Sequence, residues 1–432
     1  MDWTTPWETD HIAKHPREQA DAEALNRLLA VFRSCVEAAR PERCLPERLP
    51  CLADKGRTVI AGIGKGGAEM ARVAEAHYAG GAYSGVVVTK IRHGYVSDRL
   101  DIHEGGHPIP TAAGVAGARA LVATLQGLTR DDRVIALVSG GGSSMLAVPP
   151  KGTTLDEIAA LNRALLGSGM EIAEVNAVRR HISPLANGGL ARIASPAQIT
   201  LLAISDVAGD DIAVISSGPF SPDGSTPADA QVLLDRRGIP VSGALRSHLS
   251  RPTHTRPMAH VQGQLVASPG TALRAAETAA REAGCDVILL GDDICGESRD
   301  VAAQHARLAR QVRQEGRRGV VILSGGETTV TLRGAGSGGS NREYALALAV
   351  ALKGAEGIHA VIADTDGTDG DGETAGASVS PETLARAAEM GLSAENHLAR
   401  NDSGRFFAAL GDDLVTGPTM TNVNDFRAIL IA

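Results

Sequence analysis

The chain repeatedly sets glycine, serine and one charged residue side by side, residue types that can hold and transfer phosphate. Gly62-Ile63-Gly64-Lys65-Gly66-Gly67 places Lys65 inside a glycine turn, with Gly64 and Gly66 able to bring the backbone close to a nucleotide. The run formally matches GxGxxG. A dinucleotide site, however, wants an acid roughly 20 residues on, at the end of the second strand, for the ribose hydroxyls. Here that strand, GVVVTK, ends in Lys90 with Arg92 just beyond. The loop therefore reads as a phosphate loop, its plain alternative being a strand-to-helix turn with a solvated lysine. Ser139-Gly140-Gly141-Gly142-Ser143-Ser144 is expected to hold an anion on converging backbone N–H groups, with Ser143 and Ser144 toward the substrate. No Gly-Lys-Ser/Thr ends it, so it is not a Walker A loop. Asp206, after ITLLAI, can bind Mg²⁺ or accept a hydroxyl proton, while Asp210 and Asp211 suit a helix cap. Ser216-Ser217-Gly218-Pro219 follows as a further candidate anion loop.

Two later loops extend the pattern. Gly325, Gly326 and Glu327 follow VVIL, and Gly338, Gly339 and Asn341 open the helix YALALAVAL; both sets are expected to contact nucleotide, the second at a helix N-terminus. The acidic run from Asp364 to Glu373 lacks the glutamate at position twelve that a calcium loop needs, so Asp366 is expected to meet Mg²⁺ and the other acids to cap and turn. His93, His103, His107 and His181 fall near these loops without metal spacing and are assigned structural hydrogen bonding, not catalysis.

Elements must bring these loops together. Short β-branched runs (TVIAGIG, GVVVTK, RVIALVSGG, ITLLAIS) alternate with Ala-rich helical stretches, the signature of βαβ units and a parallel sheet. In such sheets ligands sit beyond the C-terminal strand ends, where every loop above falls. Residues 11 to 40 show helical apolar spacing through Ala22, Leu25, Leu28, Leu29 and Phe32. The proline-, histidine- and arginine-rich segment 236–265 breaks the rhythm, which resumes with DVILLGDD, VVILSGGE and HAVIADTDG. Two domains are thus predicted, 1–250 and 251–432, since 432 residues exceed what one core usually serves.

The net charge of −8 argues against nucleic-acid and membrane-surface partners, which reward clustered Lys and Arg. The charged N-terminus lacks a signal-peptide core, no apolar run spans a bilayer, and five scattered cysteines read as reduced thiols. A cytoplasmic enzyme is expected, with self-association left open.

Taken together, AGIGKGGAEMA, EGGHPIPTAAG, LVSGGGSSML, NAVRRHIS, SDVAGDDIAVISSGP, LSGGETTVTLRG, DTDGTDGDGETAGA and TGPTMTNVNDFRAIL resemble the class II glycerate 2-kinases, the glycerate kinase/MOFRL family. The resemblance runs from about residue 58 to the C-terminus, and some members carry the label hydroxypyruvate reductase. It implies a Rossmann-like, doubly wound α/β N-terminal domain, a smaller C-terminal α/β domain with the active site between them, and ATP- and Mg²⁺-dependent phosphorylation of D-glycerate to 2-phosphoglycerate. It carries the family's catalytic lysine onto Lys65 and its strand-end aspartate onto Asp206. The chain departs where similar proteins read Gly-Gly-Arg-Asn: it has Gly338-Gly339-Ser340-Asn341, and Arg342 is the nearest arginine. On this reading Lys65, Asp206 and Arg342 are catalytic, and Arg179 or Arg180 clamps the substrate carboxylate through bidentate hydrogen bonds. An NAD(P)-dependent reductase of the same three-carbon skeleton and a non-catalytic nucleotide sensor are the rival readings.

Overall fold

The computed structural model describes residues 19–432 except 171, 208, 252–257 and 371–372; residues 11–18, part of the linker, and Asp371 and Gly372 of the acidic run lie outside it. The chain divides into two compact units, one of residues 41–267 and one that joins the N-terminal segment through Arg40 to residues 268–432. The break expected at residue 250 is therefore displaced, and the N-terminal helix leaves the sequence neighbours it was grouped with.

The unit of residues 41–267 carries β1 (Thr58–Ile63), β2 (Ser84–Lys90), β3 (Leu100–Gly105), β4 (Arg133–Val138), β5 (Gln198–Ile204) and β6 (Val261–Ala267). All pair in parallel, in the order β3-β2-β1-β4-β5-β6. β1 is buried at every position and β4 at all but its first. Helices cover both faces of a parallel sheet, which is why these strands read as unbroken apolar runs. The helix Ala112–Leu125 contributes Ala118, Leu121 and Leu125 to the core that also holds Val59, Ala61 and Val134. Each fully buried Val or Leu contributes about 1.5–3 kcal/mol. A satellite core binds the helices Leu155–Leu166, Ile172–Ile182, Pro227–Arg236 and Gly243–Leu249 through Ile158, Leu161, Val178 and Leu234. β6 begins within the last residues of the proline-rich segment and pairs with β5, which is why the domain boundary moves.

The other unit contains β7 (Asp286–Leu289), β8 (Gly296–Glu297), β9 (Val320–Ser324), β10 (Thr328–Thr329), β11 (Ile358–Asp364), β12 (Gly376–Val379), β13 (Asp413–Leu414) and β14 (Asp425–Ile431). The six-stranded order is β13-β12-β11-β14-β9-β7. In this sheet β7 and β9 pair in parallel, as do β8 and β10 in a separate two-stranded sheet, while the C-terminal strand β14 inserts antiparallel between β9 and β11. The expected parallel sheet is thus mixed here, because the central partner is contributed from the far end of the chain. The helix Gln19–Ala39 buries Leu25, Leu28, Phe32 and Val36 at helical spacing. Phe32 stacks on Phe426 of β14 at 5.1 Å between ring centroids, and Asp21 accepts from His359 of β11 at 2.6 Å. No disulfide joins any of the five cysteines. Among the described residues no helix is long and apolar enough to cross a membrane.

Candidate active site

In the first unit the chain builds outward from β1 to β2 and β3 on one side, then from β4 to β5 and β6 on the other. The order reverses between β1 and β4, and an open α/β sheet leaves its ligand crevice at such a point. The loops after β1 and β4 meet there. Lys65 N–H donates to the Gly140 carbonyl at 2.9 Å, and Gly66 N–H donates to Ser139 Oγ at 2.8 Å. Ser216, held at φ +51, locks the second loop: its Oγ accepts from Gly142 N–H at 2.8 Å and donates to the Ser139 carbonyl. Ser143 Oγ lies 2.7 Å from Ser217 Oγ, while Ser144 turns inward to donate to the Gly141 carbonyl at 3.1 Å. Of these two serines, Ser143 is half-exposed and Ser144 buried.

Why must two of these residues be glycine? A Cβ on Gly140 would sit 1.5 Å from Asp206 Oδ2, so the carboxylate after β5 lies directly over the bare Cα. A Cβ on Gly141, at φ +85, would sit 3.2 Å from Lys65 Cγ and 3.0 Å from His107 Cδ2. Lys65, Asp206 and His107 are each half-buried. They reach one short loop from the ends of three different strands. Among the described residues the N–H groups of Gly140 and Gly141 make no hydrogen bond. Buried backbone donors are nearly always paired, so two adjacent open ones suit an anion. The N–H groups of Gly64, Gly66 and Gly142 are spent within the protein, so these glycines shape the loops and do not donate to a ligand.

The two arginines expected at the substrate behave differently. Arg179 is half-buried, with Nε on Asn162 Oδ1 at 2.8 Å and Nη2 on the Pro108 carbonyl at 3.4 Å, beside His107. Arg180 is buried and ion-paired with Asp223, which also accepts from Ser225 at 2.6 Å. Its carboxylate partner is internal, which removes it from the clamp. Neighbouring His181 accepts or donates at Ser225 Oγ, 2.8 Å away, and burial and Arg180 hold its imidazole down at about 4.

In the second unit the expected nucleotide loops are filled by the protein itself. The helix Ser340–Leu352 receives Asp369 at its N-terminus: the Asn341 N–H donates to Oδ1 at 2.9 Å and the Arg342 N–H to Oδ2 at 3.0 Å. The place where Gly338, Gly339 and Asn341 were to hold phosphate thus carries a side-chain carboxylate. Arg342 is buried and bound to the same Asp369, through Nε at 3.0 Å and through Nη2 to its carbonyl at 2.7 Å, so the assignment of Arg342 to catalysis is not supported. Asn341 donates to Asp425 at 2.7 Å. Gly325 gives its N–H to Gly291 and its carbonyl to Arg427, and the Gly326 carbonyl accepts from Asp425. Glu327 is exposed. Arg427 is fully buried, ion-paired with Asp425 and 5.3 Å from the Tyr344 ring centroid. Asp366 is buried and its Oδ1 accepts from Thr368 N–H at 2.8 Å, a turn cap. Among the described residues no group of three His, Cys, Asp or Glu side chains could hold a metal by itself. Mg²⁺ bound through one or two carboxylates and phosphate oxygens needs no such cage.

Similarity to known proteins agrees with this architecture. A profile described as a domain of unknown function, DUF4147, matches residues 27–250, and the MOFRL family profile matches residues 320–425. The D-glycerate 2-kinase of Thermotoga maritima is 36% identical over 95% of this chain and 99% of its own. The chain belongs to the glycerate kinase/MOFRL family. The solved structure of the glycerate kinase from that organism superposes with a TM-score of 0.84 at 35% identity, covering 95% of this chain and all of the other. A family member from Agrobacterium vitis, named putative hydroxypyruvate reductase, is 44% identical over 95% of both chains. Lys65 and Asp206 stand at strand ends, where the sequence pattern put them. His107, assigned structural hydrogen bonding from the sequence, also follows a strand end, β3, and its ring lies against Gly141.

Proposed function

We propose that this protein transfers the γ-phosphoryl group of ATP to the 2-hydroxyl of D-glycerate, giving 2-phosphoglycerate and ADP. The convergence of Lys65 and Asp206 on Gly140 and Gly141 at the β1/β4 reversal carries this reading. Phosphoryl transfer needs positioning and charge neutralisation more than covalent chemistry. Lys65 meets the charge that develops on the transferred group, and the N–H groups of Gly140 and Gly141 cradle phosphate oxygens. Arg179 binds the glycerate carboxylate. Asp206 orients the hydroxyl and accepts its proton, or ligates the Mg²⁺ that ATP brings; Mg²⁺ would screen phosphate charge there. Asp206→Asn assayed across Mg²⁺ concentrations separates the two roles, since loss of a ligand raises the Mg²⁺ requirement and loss of a base does not. The names of the kinase relatives support ATP and glycerate as the pair of substrates. The lack of disulfides suits a reducing compartment, and we place the enzyme in the cytoplasm.

The name of the Agrobacterium relative raises a reductase as the second reading. β2 ends in Lys90, where a nicotinamide dinucleotide would want an acid for its ribose. Phosphorus NMR of protein, ATP, Mg²⁺ and D-glycerate should show the 2-phosphoglycerate resonance growing as ADP forms. NAD(P)H oxidation with hydroxypyruvate, and no phosphorylated product, would reverse the assignment.

A further inference from the structure

We propose that His107 is a catalytic residue, its imidazole Nε2–H donating a hydrogen bond to the phosphoryl group in transit. The inference rests on the phosphotransfer reading above and names a third side chain for it. Gly141 is flanked on one side by the lysine stem, with Lys65 Cγ 3.2 Å from the position a Cβ would take. On the other side it is bounded by the His107 ring edge, with Cδ2 at 3.0 Å and Nε2 at 3.3 Å from that same position. The ring thus turns its Nε2 edge, and not its Nδ1 edge, toward the glycine loop. The Gly141 N–H, which makes no hydrogen bond among the described residues, belongs to the same residue. The lysine stem and the imidazole edge therefore flank the same glycine, whose backbone donor makes no hydrogen bond among the described residues.

The chemistry explains why a third donor is useful. The acceptor hydroxyl oxygen bonds the γ-phosphorus while the bond from that phosphorus to the β,γ-bridging oxygen breaks. The electron pair leaves with ADP, and the hydroxyl proton passes to Asp206 or to water. Charge spreads over three equatorial oxygens in a loose transition state. Donors fixed beforehand stabilise it without reorganisation. Lys65 and the glycine N–H groups serve part of that charge, and His107 the rest. The segment that carries His107 is anchored through its neighbour: Arg179 Nη2 reaches the Pro108 carbonyl at 3.4 Å while its Nε holds Asn162 at 2.8 Å. Lys65 after β1 meets Gly141 beside the ring, Asp206 after β5 lies over the adjacent Gly140, and Arg179 on the helix Ile172–Ile182 reaches the carbonyl of Pro108.

Three substitutions test this. His107→Gln brings an amide N–H close to where Nε2 stands; His107→Asn reaches only the position of Nδ1; His107→Ala removes both. With the full-length protein, Asn and Ala should lower kcat about 100-fold, with KM for ATP and D-glycerate within about threefold. Gln should regain about tenfold of that loss. Affinity for ADP with aluminium fluoride and Mg²⁺ should fall with kcat/KM across the series, while affinity for ADP alone stays level, because only the transition-state mimic presents the equatorial oxygens. Wild-type turnover in Asn and Ala, or equal losses in all three with ADP affinity falling in parallel, would overturn the role of His107 and leave the phosphotransfer reading standing. A wild-type protein that forms no phosphoglycerate would remove both.

Discussion

The two glycine-rich loop systems of this chain look alike as text and differ as objects. In the unit of residues 41–267, the N–H groups of Gly140 and Gly141 make no hydrogen bond among the described residues, and Lys65, Asp206 and His107 reach these glycines from the ends of β1, β5 and β3. In the other unit, Asp369 occupies the N-terminus of the helix Ser340–Leu352, and Arg427, Asp425 and Asn341 use up the groups around Gly325. A helix N-terminus attracts anions, but the anion can be the protein's own carboxylate, which satisfies the orphan donors permanently. Glycine clusters mark where backbone comes close to something; which partner it meets is decided by residues far away in sequence.

The largest effect should come from the open side. Lys65→Ala is expected to lower kcat on the order of 1,000-fold while leaving thermal unfolding near wild type, because the side chain is half-exposed and its loss opens no core cavity. Retained turnover would take Lys65 out of the reaction. On the filled side the matching change should act on stability. Asp369→Asn keeps the shape but leaves buried Arg342 with only the more distant Asp413, 4.0 Å away, costing about 3 kcal/mol in urea unfolding. A near-neutral result, or a loss of activity without a loss of stability, would return the loop to the list of ligand sites.

Adjacent arginines sharpen the contrast within one helix. Arg179→Ala should raise KM for D-glycerate about 30-fold with little change in unfolding, as expected for a lost charged hydrogen bond to substrate. Arg180→Ala should instead destabilise, since it strands Asp223 in the interior. If the two variants exchange phenotypes, the substrate clamp has been given to the wrong residue.

The smallest effect concerns pH. Burial holds the Asp413 carboxyl up at about 6, with Arg342, 4.0 Å away, working against it. Its folded-state value lies above the ordinary carboxylate value of about 4, so the folded form binds the proton more tightly. Stability should therefore fall as pH rises from about 4 to about 6 and level off above. Asp413→Asn should remove that slope, the gap between variant and wild type growing by about 1–2 kcal/mol over that window. Parallel curves would mean that the carboxyl titrates normally.

How much of this could be read before the fold was known depends on how local each feature is. β1, β2, β4 and β5 declared themselves as apolar runs, with Lys65 and Asp206 just past the ends of β1 and β5, whereas the half-polar β3 and β6 did not. The failures were long-range. β6 pairs with β5 across the proline-rich break, and β14 inserts antiparallel between β9 and β11, choices made by tertiary packing that no window of residues contains. The helix Gln19–Ala39 was correctly periodic but assigned to the wrong neighbour, since periodicity tells that a face is buried and not against what. Asp369 lies 28 residues from Asn341, and Asp223 lies 43 from Arg180, so neither internal partner was visible beside the group it neutralises. His107 was discounted because a lone histidine carries no spacing signal; its proximity to Gly141 exists only in three dimensions.

Amide hydrogen exchange with and without a non-hydrolysable ATP analogue and Mg²⁺ tests the central comparison most directly. Exchange should slow at Gly140 and Gly141 on binding, while the amides of Asn341 and Arg342, already held by Asp369, stay as they were. Unchanged exchange at Gly140 and Gly141 together with new protection across residues 338–342 would contradict the account.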